Sequence, residues 1–157
     1  MDTRTFRDRL APLKARTAER RGPRPPFVSR ALRAFSLLET TEHELLPFLN
    51  ALRDEIPELA PTRRPFDGAY VLGVEADVPH GRFKGKPYLA YNRLSFSIRP
   101  DGDNGRVQVT CRTTVMDRDG ETLRRVVEAN DEGWESLRAF VESCCLGFAT
   151  TWFRAAA

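Results

Sequence analysis

Four runs of alternating apolar and polar residues occupy the second half of the chain, and they restrict its fold more than any other feature. They lie at Tyr70 to Val78, Tyr88 to Arg99, Val107 to Met116 and Leu123 to Ala129. A period of two places the apolar side chains of a strand on one face of a sheet. Because the runs follow one another through short connections, they predict a four-stranded antiparallel β-meander.

Turn residues separate these runs. Asp101 to Gly105 (DGDNG) and Asp117 to Gly120 (DRDG) supply aspartate, asparagine and glycine, which tolerate the positive φ angles of hairpin turns. The remaining connection, Pro79 to Pro87 (PHGRFKGKP), is longer, and we predict a loop there.

Helical patterns flank the predicted sheet. Before it, Ser29 to Leu38 predicts one helix, and Thr41 predicts the N-cap of a second helix, because Thr41 to Glu44 has the form of a capping box. Prolines between residues 57 and 65 predict a loop. After the sheet, Asp131 predicts the cap of a last helix with a wide apolar stripe. The predicted fold is α+β: N-terminal helices, a four-stranded antiparallel β-meander and a long C-terminal helix packed on the sheet as a two-layer sandwich.

Composition bounds the class of protein. The 157 residues predict one domain, and 41% hydrophobic with 30% charged residues is typical of a soluble globular protein. The sequence has neither the apolar run of a membrane span nor that of a secretory signal. Cys111, Cys144 and Cys145 show no CxxC spacing, and adjacent cysteines rarely bridge. We therefore predict reduced thiols and a cytoplasmic protein.

Charge is divided unevenly along the chain. The first 33 residues hold ten Lys or Arg and three acids, a net charge of +7, and because the chain totals +3 the remainder carries −4. Such a basic arm predicts contact with nucleic acid, with an anionic surface or with the acidic body itself. Its candidate anion contacts are Arg4, Arg7, Arg16, Arg20 and Arg21.

The arm also has an apolar stripe of helical spacing, which includes Phe6 and Leu10. The alternative interpretation is therefore that the stripe docks on the protein's own core. The proline-rich segment Arg21 to Pro26 predicts a linker. We divide the chain into residues 1–26, a basic arm with its linker, and residues 27–157, a single α+β domain.

The loop at residues 79–87 is a second candidate anion site. Arg82, Lys84 and Lys86 recur at every second position with Phe83 among them, a mixture that suits a backbone phosphate with a base stacked nearby. A solvated loop accounts for the same residues without any ligand.

The polar face of the predicted sheet is a third candidate. Arg93, Arg99 and Arg112 share that face, and arginines on adjacent strands can hold a carboxylate or a phosphate through paired hydrogen bonds. The interpretation that we favour is cross-strand pairing of Arg93 or Arg112 with Glu75 or Asp77.

Apolar residues cover more than half of the circumference of the last helix: Phe140, Cys145, Phe148, Trp152 and Phe153. Phe140, Phe148, Trp152 and Phe153 are the candidate contacts with a protein partner or a second copy of the chain. Packing of this helix between the sheet and the preceding helices explains the same residues.

Catalytic motifs are absent from the sequence. The only histidines are His43 and His80, and Cys111 is the one isolated thiol, but a thiol on the apolar face of a strand is usually inert. No metal-ligand spacing and no phosphate-binding glycine loop occurs. We therefore predict no catalytic residues, no metal and no cofactor. The predicted function is a non-enzymatic protein-interaction module, an adaptor or small chaperone-like subunit; the alternative is a nucleic-acid-binding accessory protein that uses the arm and the loop.

Overall fold

The computed structural model describes residues 8–13, 30–66, 69–102 and 105–156, and it has the predicted α+β architecture. Residues 8–13 are helical. Two helices of 26 residues each, α1 (Arg30–Glu55) and α2 (Asp131–Ala156), precede and follow an antiparallel sheet. The domain boundary that we predict at residue 26 lies outside the described residues.

The sheet has six strands in the described residues, two more than the sequence predicts. Strands β1 to β4 lie side by side in chain order, and the short β5 and β6 both pair with the outer edge of β4. The sheet is therefore an antiparallel meander five strands wide, in which β5 and β6 together occupy the last strand position. The strands are β1 (Ala60–Phe66), β2 (Ala69–Phe83), β3 (Lys86–Pro100), β4 (Arg106–Val115), β5 (Arg118–Asp119) and β6 (Leu123–Glu128).

Strand β1 lies where the prolines predict a loop, so that prediction is wrong. Pro61 and Pro65 pair in register with Val74 and Tyr70 of β2. Proline removes a ladder donor, but at an edge strand the missing N–H can point away from the neighbouring strand. The prolines therefore indicate the edge of the sheet.

Helix α1 is continuous where the sequence predicts two helices. Thr41 is not an N-cap: it is wholly buried within α1, and its hydroxyl donates a 2.7 Å hydrogen bond to the carbonyl oxygen of Leu37, one turn back. Pro47 also lies inside the helix. Both features weaken a helix in isolation. The buried stripe that contains Leu45 and Leu49 supplies the tertiary packing that offsets this cost.

One hydrophobic core lies between the two helices and the sheet. Its wholly buried side chains include Phe96 and Leu94 of β3, and Leu137 and Phe148 of α2. Each such side chain contributes about 1.5–3 kcal/mol through the burial of apolar surface. The ion pair between Arg138 of α2 and Glu44 of α1, at 2.8 Å, joins the helices at the surface.

The start of α2 differs by one residue from the prediction. Asn130, not Asp131, is the N-cap, because its Oδ1 accepts a 2.7 Å hydrogen bond from the N–H of Gly133. Asp131 and Glu132 occupy the first turn, where their charges favour the positive end of the helix dipole.

Candidate functional site

The sheet face opposite α1 and α2 carries six arginines. Strand pairing identifies them, because residues paired across neighbouring strands point to the same face. All six are exposed or half-buried. One of them, Arg106 of β4, is paired with Asp101 at 3.8 Å. We call the other five the arginine face: Arg64 of β1, Arg93 and Arg99 of β3, Arg112 of β4 and Arg124 of β6.

The arginine face takes no part in the ion pairs formed among the described residues. Those pairs join Arg63 to Glu42, Arg106 to Asp101 and Arg138 to Glu44. The cross-strand pairing favoured by the sequence is therefore not formed. Glu75 lies directly opposite Arg93 on the neighbouring strand, but its carboxylate accepts a 3.0 Å hydrogen bond from the hydroxyl of Tyr91 instead.

The arginine face has a depression at its centre, where the side chains are small. Gly73 and Ser95 pair there, between the long side chains of the surrounding rows. A recess of about 310 Å³ lies towards β1, and its lining includes Arg64, Arg93 and Glu75, together with Arg63, which is paired with Glu42. Two guanidinium groups around one recess suit a carboxylate or a phosphate, which arginine binds through two parallel N–H···O bonds.

The sequence analysis did not place two members of the arginine face on that face. Arg64 lies on β1, where the prolines led to the prediction of a loop, and Arg124 lies on the last strand. Arg124 alternates with Leu123 and Arg125 along the predicted strand, and this alternation could have assigned Arg124 to the polar face. Arg64 carried no such signal, because its strand was not predicted.

Residues 79–87 form a hairpin arm and not a loop. Strands β2 and β3 continue to Phe83 and from Lys86, and residues 79–89 are all exposed. Lys84 and Gly85 make the two-residue turn, with φ of 51° and 77°, as in the hairpin turns that match strand twist. The predicted loop is wrong because lysine here accepts a positive φ that the sequence gave no reason to expect.

The cations of the hairpin arm do not share one face. Arg82 pairs with Pro87, whereas Phe83 pairs with Lys86, so Arg82 and Lys86 point to opposite sides of the ribbon. The Nζ of Lys84 lies 5.5 Å from the ring centroid of Phe83, which is itself 64% exposed. The tip therefore presents one aromatic ring with an ammonium group beside it.

A second tight turn, between β4 and β5, fixes the base of the hairpin arm. It consists of Met116 and Asp117, with φ of 48° and 63°, and lies earlier than the predicted Asp117–Gly120 turn. The wholly buried side chain of Asn92 supports it, because its Oδ1 accepts a 2.8 Å hydrogen bond from the N–H of Met116. Its Nδ2 donates to the carbonyl of Ala90 at 3.2 Å.

Asp117 connects this turn to β3. Its carboxylate accepts hydrogen bonds from the hydroxyl of Tyr88 and, at 2.9 Å, from the N–H of Tyr91. These bonds, with a smaller effect of nearby His80, lower the pKa of Asp117, whereas the bond to Asp117 raises the pKa of Tyr88. A lowered carboxyl pKa stabilises the fold at neutral pH, and that stabilisation is lost as pH falls through the lowered value.

Replacing Tyr88 with phenylalanine is expected to raise the pKa of Asp117 towards its ordinary value of 3.8, because the largest cause of the shift is removed. NMR titration of the Asp117 carboxyl carbon measures this pKa. Tyr91→Phe is the matched control: Tyr91 bonds the Asp117 carboxylate only through its backbone N–H, which the substitution keeps, so the pKa should stay low. Equal Asp117 pKa values in the two variants would contradict the assigned role of the Tyr88 hydroxyl.

The structure separates the four aromatic residues of the last helix that were predicted to contact a partner. Phe140, Phe148 and Trp152 lie in the core, with exposures of 9%, 2% and 6%, whereas Phe153 is 53% exposed. Of the candidate partner contacts, Phe153 alone presents its ring at the surface. Leu146, 61% exposed, is the other large apolar residue exposed on α2.

The basic arm is outside the described residues except for a short stretch. Arg4, Arg7, Arg16, Arg20 and Arg21 all lie outside them, so their predicted contact with anions stays a prediction. Within helical residues 8–13, Leu10 and Leu13 are 43% and 59% exposed.

A cavity of about 750 Å³ lies between α2 and the outer strands of the sheet. His80 and Cys111, the candidate base and thiol of the sequence, both line it, together with Cys144. The neighbouring Cys144 thiol, together with burial, raises the pKa of Cys111. A raised thiol pKa opposes the thiolate that a nucleophile needs, so Cys111 is poorly suited to act as one with His80.

Comparison of the chain with protein-family models, with curated proteins and with solved structures finds no match. Over the described ranges, no helix is both long enough and apolar enough to cross a membrane. The same ranges contain no group of three or more His, Cys, Asp or Glu side chains placed to hold a metal ion. Function is therefore inferred from the surfaces that the fold presents.

Proposed function

We propose that the chain is a non-enzymatic protein-interaction module, an adaptor or small chaperone-like subunit, whose arginine face binds an acidic segment of a partner protein. The observation that carries this proposal is that five of the six arginines on one sheet face form no ion pair with any described acid. Like charges gathered on one face repel one another, and an anionic ligand removes that cost. The three thiols suggest a cytoplasmic location.

An acidic protein segment suits this face better than a nucleic acid does. Single-stranded nucleic acid binds sheets through aromatic rings on which bases stack. Tyr91 is the one aromatic side chain among the paired central positions of this face, and its hydroxyl is bonded to Glu75. Glu75 and Asp77 would also repel a continuous run of phosphates, whereas a peptide can leave those positions uncharged.

Binding of a labelled peptide of alternating glutamate and threonine, followed by fluorescence anisotropy, tests the proposal. An extended peptide of this pattern presents its carboxylates on one side. The double variant Arg93→Glu with Arg112→Glu is expected to weaken binding by at least about tenfold, because two charge-assisted contacts become repulsions. A peptide of alternating glutamine and threonine should bind weakly to every form.

The control variant is Arg33→Glu with Arg154→Glu. It makes the same change in net charge on exposed residues of α1 and α2, away from the arginine face. We expect less than about a twofold loss, because exposed charges at a distance are screened. Equal losses in the two double variants would show attraction to overall charge and would reject the arginine face as the site.

The nucleic-acid alternative is favoured by one specific observation, the exposed Phe83 ring and the Lys84 ammonium at the tip of the hairpin arm. An oligonucleotide that binds with affinity falling steeply as salt rises would support it. The triple variant Arg82→Ala, Lys84→Ala and Lys86→Ala should then weaken binding to any base sequence. Tight oligonucleotide binding with no binding of the acidic peptide would replace the first proposal by this one.

A further inference from the structure

Three hydroxyl side chains lie near the centre of the arginine face. They belong to Ser95 and Ser97 of β3 and to Thr110 of β4, which is paired with Ser97. Ser95 and Thr110 are only 3% and 6% exposed, although α1 and α2 pack on the other face of the sheet. Thr114 of the same face donates its hydroxyl to the carboxylate of Asp119 at 2.8 Å, whereas none of the three central hydroxyls donates to a described residue. Buried hydroxyls normally have a partner, so these donors suit a ligand.

The hydroxyl of Ser95 opens onto the central depression. Within the described residues, the enclosed side-chain nitrogen and oxygen atoms that lack a hydrogen-bond partner are the Nε atoms of Arg53 and Arg106. The oxygen of Ser95 also lacks a partner but is not among these enclosed atoms. It is therefore accessible from the depression, where it forms part of the floor.

Ser95 lies between two arginines. Arg112 is paired with it on β4, and Arg93 lies two residues earlier on β3, on the same face. Arg93 and Arg112 are therefore diagonal neighbours, about 7–8 Å apart, a distance that long side chains can span. On its other side, Ser95 pairs with Gly73 of β2, which has no side chain. An anion above Ser95 thus has free space towards β2 and a guanidinium group within reach on β3 and on β4.

Glu75, the acid beside this site, is held away from Ser95. It pairs with Arg93, and its carboxylate accepts a 3.0 Å hydrogen bond from the hydroxyl of Tyr91. Tyr91 and Ser95 lie on opposite sides of Arg93 along β3, two residues away in each direction. The bond to Tyr91 therefore draws the carboxylate away from the space above Ser95, where it would repel an anion.

The donors around Ser95 outnumber the oxygens of a carboxylate. One guanidinium group can occupy both carboxylate oxygens through two parallel N–H···O bonds. A phosphate monoester has three acceptor oxygens and a charge of about −1.5 to −2 at neutral pH. Two arginines and one hydroxyl therefore match a phosphoryl group, whereas a carboxylate would leave the second arginine and the hydroxyl unused.

We propose that the acidic segment bound by the arginine face carries a phosphorylated residue, whose phosphoryl group lies above Ser95 between Arg93 and Arg112; this rests on the proposed function. The two guanidinium groups bind the phosphoryl oxygens through N–H···O bonds, and the hydroxyl of Ser95 donates to an oxygen between them. The other arginines of the face contact the acidic side chains on either side of the phosphorylated residue. Phosphorylation of the partner therefore strengthens the complex.

Binding of three labelled peptides to the full chain, measured by fluorescence anisotropy, tests this proposal. The first peptide alternates glutamate and threonine. The second has phosphoserine in place of the central glutamate, and the third has an additional glutamate beside that position, which matches the charge of the second. We expect the phosphoserine peptide to bind at least about tenfold more tightly than the charge-matched peptide, because it gains charge-assisted hydrogen bonds at Ser95.

Ser95→Ala removes the hydroxyl and leaves every charge in place. It should reduce the advantage of the phosphoserine peptide over the charge-matched peptide by at least about fivefold, and it should change binding of the all-glutamate peptide by less than about twofold. Arg112→Lys, which keeps the charge but loses the paired donors, should also reduce the advantage. Ser97→Ala is the matched control, because Ser97 is next on the same face of β3 but is paired with Thr110, and it should keep the advantage.

The results distinguish failure of this proposal from failure of the proposed function. If the all-glutamate peptide binds, the double variant Arg93→Glu with Arg112→Glu weakens it, and phosphoserine gives no advantage over the charge-matched peptide, then the phosphoryl site alone is rejected. If none of the three peptides binds, both proposals are rejected. Binding of the phosphoserine peptide alone supports the site and limits the proposed function to phosphorylated partners.

Two further results would overturn the site. One is an advantage of phosphoserine that Ser95→Ala leaves unchanged, because the phosphoryl group would then lie elsewhere. The other is displacement of the phosphoserine peptide by inorganic phosphate at an equal concentration, which would indicate a site for free phosphate. We expect the peptide to stay bound, because the arginines that flank Ser95 also hold its glutamates.

Discussion

Replacing Trp152 with alanine is expected to lower the free energy of unfolding by about 3–5 kcal/mol, the range for large aromatic residues removed from a core. Trp152 is only 6% exposed, and its ring centroid lies 6.1 Å from that of Phe148 at a tilt of 32°. The substitution removes apolar contacts with the core and leaves a cavity under α2. Urea unfolding followed by circular dichroism measures the change.

Phe153→Ala is the matched control for Trp152→Ala. Phe153 is the next residue of α2 and is 53% exposed, so its truncation should change stability by less than about 1 kcal/mol. If Phe153→Ala instead destabilises the chain as much as Trp152→Ala, Phe153 is covered by a second copy of the chain. A stable, folded Trp152→Ala would contradict the assignment of Trp152 to the core.

The second large effect is expected at Gly73, where substitution by alanine should destabilise the fold by at least about 3 kcal/mol. A Cβ at this position would lie 2.1 Å from the carbonyl oxygen of Leu94 and 2.9 Å from the Cα of Ser95. Those are backbone atoms of the neighbouring strand, so no change of side-chain rotamer relieves the overlap. Forcing β2 and β3 apart costs more than ordinary overpacking of a core, which is about 1–3 kcal/mol.

Gly147→Ala is the control for Gly73→Ala, and its expected effect has the opposite sign. Gly147 lies within α2, and a Cβ there would meet nothing within 4 Å. Alanine in a helix interior is favoured over glycine by about 0.5–1 kcal/mol, so this variant should be more stable than the parent chain. Thermal unfolding of both variants compares the two glycines. Similar melting temperatures for the two would mean that β2 can shift to admit the added methyl group.

The fold could be predicted from sequence where the hydrophobic period was long and consistent. Alternation at Leu72 and Val74, and again at Leu94 and Phe96, predicted central strands whose apolar side chains are buried in the structure. The sequence also predicted the long last helix, because its apolar stripe is wide and Asp131 suits a helix start. Tertiary packing overrode local signals at Thr41, where a capping box lies inside a buried helix.

The candidate sites depended on geometry that sequence patterns do not carry. Alternation alone placed Arg93 and Arg112 on one face, but whether they pair with Glu75 depends on where each side chain points. Cys111 and Cys144 line the same cavity because α2 packs on β4, and no local spacing records that packing. Arg64 was missed for a third reason, since the prolines beside it removed the pattern of a strand.

Those prolines have a consequence for how the protein avoids polymerisation. Pro61, Arg63 and Pro65 alternate along β1, so their amide nitrogens point to the same side, away from β2. Two of those three positions have no hydrogen to donate. An incoming strand would find one donor where a regular edge offers three, so this edge is a poor template for a second chain. The prolines therefore disfavour β-strand addition at β1, and the flat face is the surface better suited to partners.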